Sequence, residues 1–85
     1  MLTLNGAKAF SDSLIRLARN SCEMKEEVKR FKETPKACFR KTIIFNFANY
    51  FVRVLFAGPT PDYCKASCEI TDLTTNEVII SNLNG

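Results

Sequence analysis

The sequence predicts an α+β fold in which one long N-terminal helix packs on a four-stranded antiparallel sheet, and three observations carry that prediction. Apolar or small residues recur at helical spacing through the first third of the chain. The stretch from Lys41 to Ala57 is dense in aromatic and β-branched residues at strand spacing. After Gly58, two shorter alternating segments are parted by turn residues. Eighty-five residues suffice for a single domain, 1–85, with one modest core.

The helix is expected over about residues 6–33. Ala7, Phe10, Leu14, Leu17, Ser21, Met24, Val28 and Phe31 alternate spacings of three and four, which holds one face in phase throughout. Unbroken, it would run about 40 Å at ~1.5 Å per residue, longer than the strands can cover. One resolution is a break near Asn20-Ser21, with Asn20 capping a second helix and Glu23 completing a capping box, giving a helical hairpin. The other is an intact helix whose overhang packs on a second copy, and the unbroken phase across Ser21 favours it. Pro35 ends the helix because the residue before a proline avoids the helical conformation. Met1 to Leu4 is placed as a short edge strand.

Strands are expected at about 38–47, 50–57, 64–73 and 77–83. In the first, Ile43, Phe45 and Phe47 share a face opposite Thr42, Ile44 and Asn46, so it is half-buried. In the second, Tyr50, Val52, Val54 and Phe56 are apolar throughout, and the opposite set Phe51, Arg53 and Leu55 is interrupted only by the arginine. Ala48-Asn49 is the turn between them, since Asn tolerates the left-handed conformation of a tight hairpin. Two prolines stiffen the loop Gly58-Pro59-Thr60-Pro61-Asp62. The third strand has Cys64, Ala66, Cys68, Ile70 and Asp72 on one side, and Thr74 to Glu77 turn into the fourth. Asn84-Gly85 should fray.

Charge is polarised. The net charge is +3 with a pI near 8.8, distributed as +1 over 1–24, +4 over 25–41, +1 over 42–57 and −3 over 58–85. No basic-then-apolar leader opens the sequence and no apolar run is long enough for a membrane span, so a cytoplasmic protein with no membrane association is expected. Cys22, Cys38, Cys64 and Cys68 are then reduced thiols that pack as small apolar residues.

Chemistry is sparse. The absence of histidine removes Ser-His and Cys-His catalysis and every histidine-containing metal site. Cys64 and Cys68 on one strand stand about 13 Å apart at ~3.3 Å per residue, too far to share a zinc at about 2.3 Å from each sulfur. No glycine-rich phosphate loop or paired-carboxylate arrangement is visible. The reading therefore assigns no catalytic residue, metal ligand or cofactor.

Two surfaces remain. One helix can cover only one side of the second strand, so Phe51, Arg53 and Leu55, or their counterparts on the opposite face, with Met24 on the helix, are expected to bind a homodimer mate or a protein target. Lys25, Lys29, Lys32, Lys36, Arg40 and Lys41 form a basic group suited to a polyanion, with Phe39, Tyr50, Phe51 and Tyr63 available for base stacking.

The helix-plus-meander order resembles the layout of cystatin-like folds, an analogy of architecture. The role expected on these grounds is a non-enzymatic protein–protein interaction module, an inhibitor or adaptor such as a mobile-element protein that blocks a host nuclease. Ile43-Ile44-Phe45-Asn46-Phe47 and Tyr50-Phe51-Val52-Arg53-Val54 also resemble the central strands of small RelE/HigB-type mRNA-cleaving toxins, over about a fifth of the chain. That resemblance implies RNA binding or cleavage as the alternative. It would make Arg40, Lys41 and Arg53 the phosphate-stabilising groups and Tyr50 or Tyr63 the proton-transfer group.

Overall fold

The computed structural model describes residues 4–82. Two helices, α1 (Leu4–Arg19) and α2 (Cys22–Glu33), precede four strands, β1 (Phe39–Phe47), β2 (Tyr50–Thr60), β3 (Tyr63–Asp72) and β4 (Glu77–Asn82). The strands form one antiparallel sheet in chain order, with β1 and β4 at its edges. The α+β class and the four-stranded antiparallel sheet are as the sequence predicts. The strand expected at Met1 to Leu4 lies outside the described residues except for Leu4, which opens α1. Leu83 and the Asn84-Gly85 end lie outside them as well.

The single long helix is corrected to two shorter ones. Ser21 takes an extended conformation with φ −69° and ψ 155°, and its Oγ accepts the Met24 N–H as the N-cap of α2. The cap therefore falls one residue later than Asn20, and the third helical position holds Met24 where a capping box would need Glu or Gln. The same hydroxyl donates to Ala18 O at 2.6 Å, closing α1. The break does not fold the chain back on itself. Phe10 in α1 meets Phe47 and Tyr50 at the hairpin end of the sheet, while Phe31 in α2 meets Phe39 at the far end of β1.

The buried face of α1 is rotated from the predicted stripe. Leu14 and Ala18 are fully enclosed and Ser11 nearly so, whereas Leu17 is 53 % exposed. These three follow the i, i+3, i+7 spacing of one helical face. Their neighbours across the interface are Val52, Val54 and Phe56 of β2 and Cys68 and Ile70 of β3, all sealed from solvent. Along β2 and β3, alternate residues point to opposite sides, so one side of the sheet belongs to the helices and the other is left without a helix.

The β1–β2 and β2–β3 turns each differ in detail from the sequence reading. The chain reverses at Ala48-Asn49, but the left-handed residue is Ala48, with φ 52°, and not Asn49. Asn49 instead holds the next turn: its carbonyl accepts the Leu73 N–H at 2.8 Å and its Nδ2 donates to Thr74 Oγ1 at 3.3 Å. The expected five-residue loop after Ala57 is shorter, because β2 continues to Thr60 through an irregularity between Ala57 and Thr60. Pro59 is tolerated there since a bulge releases it from ladder pairing. Gly58 is required by close approach: a Cβ would stand 2.5 Å from Tyr63 O and 2.6 Å from Cys64 Cα.

Candidate functional site

The side of the sheet away from the helices is built from cross-strand rows. Arg40, Ala57 and Lys65 form the first row, and Thr42, Leu55 and Ser67 the second. Ile44, Arg53 and Glu69 form the third, and Asn46, Phe51 and Thr71 the fourth, extended onto β4 by Val78. Directly opposed residues share a face and lie about 4.5–5.5 Å apart at Cβ. Ile44 is therefore diagonal to both Leu55 and Phe51, while Val78 shares the same face from β4 with Thr71 between it and Phe51. Ile44 and Val78 are each 54 % exposed, and Phe51 and Leu55 are half-buried.

One ion pair stands among these apolar groups. Arg53 Nη1 lies 3.9 Å from Glu69 Oε1, with the arginine half exposed and the carboxylate 21 % exposed. Strand pairing places the two directly opposite each other. Three of the four residues expected to bind a partner, Phe51, Arg53 and Leu55, are thus brought together on the uncovered face. The fourth is not: Met24 is 2 % exposed and completes the chain's own core, so it leaves the surface. Ile44 and Val78 were not singled out from sequence. Their places in the strand alternation are the signal that could have found them.

The basic group separates. Lys25, Lys29 and Lys32 are exposed on α2, Lys36 follows the helix, and Arg40 stands on the uncovered sheet face. Lys41 points to the helix side, half-buried, with Nζ 3.8 Å from Glu27 and 4.0 Å from Glu23. Glu27 also receives Arg30 at 2.7 Å. A cleft of about 420 Å³ between the end of α2 and the start of β1 is lined by Arg30, Thr34, Lys36, Cys38 and Arg40 among others.

The stacking aromatics separate too. Phe39 is buried against Phe31, and Tyr50 packs edge-on to Phe10 at 5.4 Å on the helix side. Phe51 is on the opposite side, and Tyr63 is exposed at the other end of the sheet beside a cleft of about 540 Å³. The groups that the toxin resemblance would require are likewise divided. Tyr50 and Lys41 face the helices, while Arg40 and Arg53 face away and stand four residues apart in register, about 13 Å by strand rise.

The thiols are separate as well. Cys22 and Cys38 are exposed, Cys64 is half-buried, and Cys68 is fully enclosed. Cys64 Sγ donates to Pro61 O at 3.2 Å and lies 3.9 Å from Arg19 Nη1. Burial pushes the Cys68 thiol up, the Ser11 hydroxyl opposes the shift, and the Glu69 carboxylate adds to it. Among the described residues no group of three or more Cys, Asp or Glu is placed to hold a metal ion. Nor is any described helix long and apolar enough to cross a membrane. No protein-family model, no curated protein and no solved structure matches the chain.

Proposed function

We propose that this chain is a non-enzymatic protein–protein interaction module, an inhibitor or adaptor, that docks a target protein on the uncovered sheet face. The observation that carries this reading is the placement of Ile44, Phe51 and Leu55 about Arg53, with Glu69 opposite it and Val78 further along the same face, on a surface that no described helix covers. An apolar patch with an aromatic residue and an arginine at its middle resembles the centre of an interface, where such residues are enriched. Its neighbours Thr42, Asn46 and Thr71 supply hydrogen-bonding groups at the margin.

A photo-crosslinking amino acid tests this. Placed at Leu55, it should capture a discrete host protein, and placed at Lys29 it should not. Capture at Leu55 should disappear in the Phe51→Asp background while the circular dichroism spectrum stays unchanged. Equal capture from both positions, or undiminished capture in Phe51→Asp, would overturn the reading.

The alternative, RNA binding or cleavage of RelE/HigB type, has less support because its basic and aromatic groups are spread over two faces and both ends of the sheet. It would demand RNA retention that falls steeply with salt and growth arrest that Arg53→Ala abolishes.

A further inference from the structure

The outer edge of β1 carries the second inference. A two-residue turn joins β1 to β2 and Phe47 pairs with Tyr50 at its base, so Phe47 exchanges both backbone hydrogen bonds with Tyr50. The alternation of an antiparallel ladder then aims the N–H and C=O groups of the odd-numbered residues at β2 and those of Arg40, Thr42, Ile44 and Asn46 outward. The result is a nine-residue edge with four unpaired residues and no proline. Natural sheets usually blunt such an edge with bulges, prolines or charged side chains; in β1 these are Arg40 and Lys41 at one end, with Lys41 held to Glu23 and Glu27 on the helix side, while Thr42 to Phe47 carry none. The opposite edge, β4, is six residues long and its pairing with β3 slips between Ile70 and Thr71.

We propose that β1 pairs antiparallel with β1 of a second copy about a two-fold axis at Ile43, joining the two sheets into one of eight strands. This proposal is independent of the docking-face reading, since it uses the edge rather than the face. In that register Thr42 lies opposite Ile44 and Arg40 opposite Asn46 of the second copy, so every outward backbone group finds a partner and no like charges face each other. Shifting the register to set Lys41 against its own copy would oppose two cations.

The same register brings Phe47 beside Phe39 of the second copy. Phe47 is 43 % exposed although it lies on the helix side, and Phe39 is buried under Phe31. Of the strands, α2 packs chiefly on β1, the edge strand. Each copy's α2 therefore stands beside the other's Phe47, which Phe10 of its own chain covers only in part. Because the axis is perpendicular to the sheet, both uncovered faces end on one side of the dimer.

The test is mass by light scattering over a wide dilution range, with amide hydrogen exchange read residue by residue. The wild-type chain should double in mass at high concentration, and the Thr42 and Ile44 amides should be protected in the dimer and exchange freely on dilution. Thr42→Pro removes an outward N–H without touching the β2 ladder, and it should be monomeric with an unchanged circular dichroism spectrum. Phe51→Asp should leave the dimer intact while losing target capture, which separates this inference from the docking face. A chain that stays monomeric, or a dimer in which these two amides exchange freely, would overturn it. Should Thr42→Pro fail to fold, exchange in the wild-type chain decides alone.

Discussion

The Met24 N–H donates to the Ser21 hydroxyl at 3.2 Å while that hydroxyl donates to Ala18 O at 2.6 Å. One side chain thus terminates α1 and starts α2, and the main-chain bond from Lys25 N–H to Ser21 O at 3.1 Å completes the first turn of the second helix. Losing an N-cap costs about 1 kcal/mol and up to about 2. Ser21→Ala should therefore lower the unfolding free energy by that much, read as a lower urea midpoint at an unchanged denaturant slope. Ser21→Asp keeps the acceptor and loses the donor, so it should fall between the two. A slope that changes, or a midpoint that does not, would place the helix break under some other control.

The helix region explains what the sequence did and did not reveal. The spacing of three and four from Phe10 to Phe31 was legible, but it selected Leu17 for the core because leucine carries a hydropathy signal and Ser11 and Ala18 carry little. The structure buries those small residues and exposes Leu17. Which side of an amphipathic helix meets the sheet is set by packing between elements, which periodicity along the chain does not encode. Ser11 bears the cost, since its buried Oγ has no hydrogen-bond partner of ordinary geometry. Phe51, Arg53 and Leu55 were legible as one face through strict alternation. Which face the helices would choose was not, because both were apolar enough to be covered.

Ala48 holds φ at 52° in the two-residue turn between β1 and β2. A left-handed backbone costs an L-residue about 1–2 kcal/mol, and glycine escapes most of it while losing more chain entropy on folding. The first effect exceeds the second here. Ala48→Gly should raise stability by about 0.5–1 kcal/mol, a gain of several degrees in melting temperature for a domain of this size. Asn49→Gly should do the reverse, since it removes the side-chain bond to Thr74 and frees a residue with negative φ. Equal effects at the two positions would contradict the assignment of the strained residue.

Cys68 lends stability a pH dependence whose sign is fixed. Burial holds its thiol protonated beyond its ordinary range, so the folded-state pKa lies above the unfolded value of about 8.5. Its contribution is fully present below the unfolded pKa and is lost as pH rises from there toward the folded value. Unfolding free energy measured in reductant should fall more steeply above about pH 8.5 in the wild-type chain than in Cys68→Ala, even though the variant starts lower by the cavity it creates. Thiol labelling supplies the companion measurement: Cys22 and Cys38 should react immediately, and Cys68 only on unfolding. Parallel pH curves for the two proteins would show that the buried thiol is not the source.

The Arg53–Glu69 pair separates a structural role from a binding role. At 3.9 Å, with the arginine half in solvent, it is an exposed pair that contributes less than about 1 kcal/mol to folding. Arg53→Ala and Glu69→Ala should each leave the melting temperature nearly unchanged. A target covering Ile44, Phe51 and Leu55 would strip water from both charges, and removing one would then strand the other in a dry interface at a cost of about 2–5 kcal/mol in affinity. The single variants should therefore lose far more in target binding than in folding stability, through faster dissociation. Replacing both with Arg53→Leu and Glu69→Leu should restore much of the affinity, since a desolvated pair exchanged for apolar groups is close to neutral. Single variants that bind like wild type would mean that the target leaves this pair in water, and the docking face would have to lie elsewhere.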